Sequence, residues 1–135
     1  MTTGLSTKLD VEFDEAVERT TKALAEQGFG VLTTIDVAAT LKKKLGKDME
    51  KYLILGACNP GLAHRALDID RQLGQFLPCN VVVRADPDGG VLVEAMDPQV
   101  MVQVADQAHA LQTVADEAAA KLHAAIEQLH QTASA

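Results

Sequence analysis

The chain's two cysteines, Cys58 and Cys79, each stand beside a proline, in the strings Ala57-Cys58-Asn59-Pro60 and Leu77-Pro78-Cys79-Asn80. Thiolates are soft ligands and strong nucleophiles, so two thiols in one place make either a soft-ligand site or a redox site. Whether they share a place depends on strand geometry. Asp86-Pro87-Asp88-Gly89-Gly90 has the composition of a tight turn, so the segments flanking it are expected to pair as an antiparallel hairpin. With 86–89 as a symmetric loop, Arg84 faces Val91, Val83 faces Leu92, Val81 faces Glu94 and Cys79 faces Met96. Directly opposed residues share a face with Cβ atoms about 5 Å apart, which makes Met96 the expected neighbour of Cys79. Cys58 ends one strand and Cys79 begins the next. Antiparallel strands put both thiols at one rim, and parallel strands put them at opposite ends.

In the antiparallel case Cys58, Cys79 and Met96 form a sulfur cluster. Such ligands favour Cu(I), or Zn²⁺ through the thiolates, and haem iron accepts Cys, Met or His. Asn59-Pro60 is a helix start, with asparagine as N-cap and proline at the first helical position, so Cys58 stands just before a helix N-terminus. That location raises a thiol's reactivity, and His64 in the first turns adds a nitrogen donor. The candidate ligand-binding residues are therefore Cys58, Asn59, His64, Cys79 and Met96, with Cys58 and Cys79 as metal ligands. A second chemistry uses the same pair as a thiol enzyme, Cys58 the nucleophile and Cys79 the resolving thiol. Against both stands plain packing. Free cysteine is among the most buried residue types, Met96 can fill a core edge, and His64 can pair with Asp68 one turn on. No Cys-x-x-Cys or His-x-x-x-His spacing decides the matter.

Other motifs carry less. His109, His123 and His130 fall on a seven-residue grid, about 10.5 Å per step along a helix, too far for shared chelation. They read as solvated residues flanking an alanine stripe. No glycine-rich phosphate loop and no nucleophile elbow is present, and no carboxylate pair stands out as acid and base.

The elements that must position the thiols follow from periodicity. A strand is expected over 3–11, then a helix in which Phe13, Val17, Thr20 and Leu24 share one face, stopped at Gly28. A second strand covers 29–35, and Asp36 caps a short helix to 44. A near-continuous apolar third strand over 51–58 suits a central position. The helix after Asn59 runs out over 71–74. The fourth and fifth strands cover 77–84 and 91–96, with Asp97-Pro98 closing the last. One long helix spans 104–129, with Ala108, Ala115, Leu122 and Leu129 repeating every seven residues and Leu111, Ala118 and Ala125 between them. The order β-α-β-α-β-α-β-β-α predicts an α+β domain, a mostly antiparallel five-stranded sheet with two long helices on one face. Residues 1–135 make a single domain, with 1–3 and 131–135 expected to fray.

Composition narrows the partners. A net charge of −7 disfavours a phosphate-backbone partner, and one tyrosine with three phenylalanines gives no base-stacking platform, so no nucleic acid is expected. Lys42, Lys43, Lys44, Lys47 and Lys51 gather five of the basic residues, at the solvated negative end of a helix. No secretory signal and no membrane-length apolar run appears, and two cysteines without an export signal fit a reducing cytoplasmic compartment.

The stretch Tyr52-Leu53-Ile54-Leu55-Gly56-Ala57-Cys58-Asn59-Pro60-Gly61-Leu62-Ala63-His64-Arg65-Ala66-Leu67 resembles the domain-of-unknown-function 302 family. Gln27-Gly28-Phe29-Gly30-Val31-Leu32, Asp36, Leu77-Pro78-Cys79 and Met96-Asp97-Pro98 match in order, so the resemblance covers nearly the whole chain. One departure is Asn80, where the family usually has arginine. The resemblance implies an architecture like that of the TATA-box-binding protein, often as a homodimer, without implying its function. It also implies that Cys58 and Cys79 belong to one site. The expectation is a small cytoplasmic binding or sensing domain, more binder than enzyme. Its ligand would be a soft metal, haem or a thiol-reactive small molecule. The alternatives are the thiol enzyme and an assembly protein that uses its alanine-rich last helix as an interface.

Overall fold

The computed structural model describes residues 5–133. Strands β1 (Ser6–Leu9), β2 (Gly30–Asp36), β3 (Tyr52–Cys58), β4 (Cys79–Ala85) and β5 (Val91–Ala95) form one sheet in the order β1-β5-β4-β3-β2. Every neighbouring pair is antiparallel. This is the expected α+β arrangement, with β3 and β4 inside the sheet.

Helix α1 (Phe13–Glu26) opens on Asp14 and Glu15, charges that suit the positive pole of a helix. It buries Ala16, Thr20, Ala23 and Leu24, and the Thr20 hydroxyl donates to the Ala16 carbonyl at 2.7 Å, so no polar atom is stranded there. Gly28 at φ +85° turns the chain into β2. The short helix α2 (Val37–Leu45) is capped as expected, Asp36 accepting from the Ala39 amide at 2.9 Å and Gly46 adopting the left-handed conformation. It buries none of its residues. Its lysine-rich end is solvated, with Lys42 pairing with Asp48 at 2.9 Å.

After α3 (Pro60–Ile69) a 3-10 turn (Arg71–Phe76) fills the expected run-out. The C-terminal part departs from expectation in that a further short helix, α4 (Gln99–Val104), precedes the expected long one, α5 (Ala108–Ala133), which starts later than read. Ala105 between them is extended, at φ −82° and ψ 142°. Asp97 accepts from the Gln99 amide at 2.9 Å and Pro98 follows it, the same cap-then-proline signature that starts α3. Asp97-Pro98 therefore opens a helix instead of merely closing a strand. The expected stripe survives on α5, where Leu111, Ala115, Leu122, Ala125 and Leu129 are all buried. Residues 131–133 belong to this helix. The expected frays at 1–3 and 134–135 lie outside the described residues. Among those described, no helix is long and apolar enough to cross a membrane.

Two clusters of apolar side chains make the interior. The larger joins Leu55, Val81, Val83 and Val93 of the sheet to α1 and to the second half of α5. The smaller joins Leu62 and Ala66 of α3, Leu73, Met101 of α4, and Leu111, Val114 and Ala118 of α5. Because the sheet and α3 cover the alanine stripe within the chain, that stripe is not free to act as an assembly interface.

Candidate functional site

The antiparallel pairing of β3 with β4 settles the topological choice on which the thiols depend. Ala57 is directly opposite Cys79, so Cys58, the next residue along β3, stands at the same end of the sheet. Both line a small cavity at the seam between the two apolar clusters. The enclosed space is about 20 Å³, room for roughly one water. Its walls are apolar: Phe29 from the entry to β2, Leu62 and Ala66 from α3, Leu77, Met101, and Val114 from α5.

The two thiols differ. Cys79 is 6% exposed, while Cys58 is partly open to solvent. Burial first and the charge of nearby Cys58 second push the Cys79 thiol up from an ordinary 9.0 to about 11. Cys79 therefore stays protonated at neutral pH, and Cys58 is the reachable member of the pair.

Three local devices hold this end together. Asn59 accepts from the Leu62 amide at 3.3 Å as the α3 cap, and its Nδ2 donates to the Gln27 carbonyl at 3.4 Å, tying α3 to the end of α1. Gly28 gives it room, since a Cβ there would lie 3.0 Å from Asn59 Nδ2. Gly56 lets Thr33 and Pro78 close over β3; a Cβ at that position would meet Thr33 Cγ2 at 2.6 Å and Pro78 Cγ at 2.9 Å. The Leu77–Pro78 peptide is cis.

Two expected members are displaced. The 86–90 hairpin closes differently from the symmetric four-residue loop: the Gly89 amide donates to the Asp86 carbonyl and the Asp86 amide to the Gly90 carbonyl. That leaves a three-residue loop with Gly89 at φ +104°, a turn with a glycine bulge. The register moves by one residue, so Ala85 faces Val91, Val83 faces Val93 and Val81 faces Ala95. A one-residue slip sends a side chain to the other face of a sheet. Met96 consequently pairs with Asn80, whose carbonyl accepts from its amide at 2.9 Å, and is absent from the cavity. Met101 supplies the sulfur in the wall instead, a residue that the Asp97-Pro98 helix start could have pointed to. His64 lies on the solvent side of α3, its Nδ1 3.6 Å from Asp68 Oδ2 and its side chain 77% exposed. It also lies outside the cavity. The structure thus brings together Cys58, Cys79 and Asn59, and leaves out His64 and Met96.

Among the described residues, no three His, Cys, Asp or Glu side chains are grouped so as to hold a metal. The metal chemistry compatible with this geometry is a soft ion held by two sulfurs. A haem is far larger than the enclosed space.

The fold places the chain among small α+β domains with one antiparallel five-stranded sheet. The profile described as "Domain of unknown function DUF302" matches residues 5–129, and the chain belongs to that family. The chain is also similar to the uncharacterized conserved protein DUF302 from Bacillus stearothermophilus, known as a crystal structure. The two are 30% identical, the match covers 91% of this chain and 94% of that one, and the TM-score is 0.83. No curated protein matches.

Proposed function

We propose that this protein is a binding or sensing domain whose site is the Cys58–Cys79 cavity, and that its ligand is a small thiol-reactive molecule. The observation that carries this reading is the pairing of a reachable thiol with a buried, protonated one across a single water-sized apolar cavity. Cys58 is the attacking sulfur. Its leaving group departs to solvent, and a group of one or two heavy atoms on Cys58 is seated against Leu62, Ala66 and Met101. Cys79 stays an S–H group beside that adduct, a weak donor that excludes water. A soft ion between the sulfurs is disfavoured because it requires Cys79 to lose its proton in a site that opposes the charge.

Methyl methanethiosulfonate tests the reading. The Cys58 thiolate attacks its sulfenyl sulfur, methanesulfinate leaves, and a methyl disulfide remains on Cys58. Intact-mass and peptide mapping at neutral pH should show one fast adduct, on Cys58, retained in Cys79→Ser and lost in Cys58→Ser. Equal modification of both thiols, or of neither, would contradict it. Hydrogen peroxide tests the thiol-enzyme alternative. The Cys58 thiolate takes one peroxide oxygen to become a sulfenic acid, releasing hydroxide, which a proton converts to water. Cys79 then displaces water from the sulfenic acid to give a disulfide. Loss of two hydrogen masses with both cysteines joined would favour that alternative over simple binding.

A further inference from the structure

The size and lining of the thiol cavity restrict what Cys58 can carry. About 20 Å³ holds one heavy atom beyond the Cys58 sulfur. Phe29, Leu62, Ala66 and Val114 offer that atom no hydrogen-bonding side-chain group. Asn59, the amide in the wall, is engaged at both ends: Oδ1 accepts from the Leu62 amide and Nδ2 donates to the Gln27 carbonyl. Single heavy atoms that a thiolate takes up by displacement sort against these walls. Oxygen leaves a sulfenic hydroxyl, a polar group that burial without a good partner penalises. A methyl group is apolar but makes a thioether, from which no later thiol recovers Cys58. Sulfur is apolar and polarizable, and thiol exchange takes it off again. Met101 lays a second polarizable sulfur in the same wall.

We infer that the molecule received here is a sulfane-sulfur donor, a small persulfide or inorganic polysulfide, and that Cys58 carries one sulfur atom in the cavity as a persulfide. This rests on the reading of Cys58 as the attacking sulfur and names its substrate class. The Cys58 thiolate attacks the outer sulfur of R–S–SH. One S–S bond forms as the other breaks, leaving Cys58–S–SH, and R–S⁻ departs to solvent and takes up a proton. Discharge runs the same way: an incoming thiolate attacks the outer sulfur, and Cys58 leaves as its thiolate. No oxidant or reductant is consumed. Attack by Cys79 on the inner sulfur would expel hydrosulfide and end the carriage in a disulfide. As a buried S–H group, Cys79 lacks the thiolate that this attack requires. The pair therefore works as carrier and bystander instead of as a disulfide couple.

Sodium disulfide, applied without oxygen at neutral pH and removed by gel filtration, is the probe. Intact-mass and peptide mapping should show the mass of one added sulfur atom on Cys58, in wild type and Cys79→Ser but not in Cys58→Ser. Cyanide then attacks the outer sulfur and should release one thiocyanate per chain. That release should be about tenfold faster in Ala66→Leu, whose larger side chain fills the cavity and forces the sulfur out to solvent. Should Ala66→Leu fail to fold, the half-buried Ala63 of the same wall gives the same reading as Ala63→Leu. A Cys58–Cys79 disulfide, a longer sulfur chain on Cys58, or equal cyanide rates in wild type and variant would overturn the carrier. Methyl methanethiosulfonate separates the two readings. Cys58 labelled by it but not by sodium disulfide overturns the carrier alone, and Cys58 labelled by neither overturns the site with it.

Discussion

Cys79 sits where becoming charged is costly. Its thiol is pushed up to about 11 by burial first and by Cys58 second. A group whose folded pKa lies above its unfolded value binds its proton more tightly in the native state. Its stabilising effect is thus complete below the ordinary thiol pKa of 9.0 and is lost as pH rises from there toward about 11. Denaturant melts across that window should show stability falling by about 2–3 kcal/mol, and Cys79→Ala should flatten that slope. A slope unchanged in Cys79→Ala would mean that the thiol is not the group responsible. The same shift leaves Cys79 about 100-fold poorer in thiolate than an ordinary cysteine at neutral pH, which is why Cys58 carries the proposed chemistry. At this scale the sequence was informative where chemistry and backbone coincide. The Cys58-Asn59-Pro60 string specified both a thiol and the helix cap beside it, and both stand as read. His64 could not be placed, because periodicity fixes that a residue is helical but not whether its side of the helix meets the cavity or water.

Among the elements, the turns and caps decide what reaches the cavity. Gly56 is the clearest case, with Thr33 and Pro78 both pressing on the space that a side chain would need. Gly56→Ala should cost about 1–3 kcal/mol in denaturant unfolding and quicken modification of Cys79, since the Pro78–Cys79 segment must shift to admit the methyl group. Unchanged stability and unchanged Cys79 reactivity would show that this closure is not needed. The strand order was legible because the apolar runs and the Gly, Asn and Asp punctuation agree with one another along the chain. The hairpin register was not. Asp86-Pro87-Asp88-Gly89-Gly90 fits either a four-residue loop or a three-residue loop with a glycine bulge, and the backbone hydrogen bonds choose between them. That single-residue difference moved Met96 away from Cys79. Asp97-Pro98 was read as a stop because it follows a strand, although it carries the same start signal as Asn59-Pro60.

On the scale of the whole molecule, the site lies where two apolar clusters meet, and α5 runs through both. The smaller cluster could not be drawn from spacing alone, because its members Leu62, Met101 and Val114 come from three distant segments. The alanine stripe of α5 was visible as a pattern but not its use, since a stripe of small residues serves a sheet and a partner helix equally well. The central claim, that Cys58 and Cys79 form one unequal pair, rests on the cavity they share and on the rise that Cys58 imposes on Cys79, and titration of Cys79 in Cys58→Ser tests it most directly. Alkylation rates mapped by mass spectrometry across alkaline pH give the Cys79 pKa in wild type and variant. Removing the Cys58 charge should lower the Cys79 pKa below its wild-type value of about 11 while leaving it above the ordinary 9.0, because burial remains. An identical Cys79 titration in the two proteins would contradict a shared site.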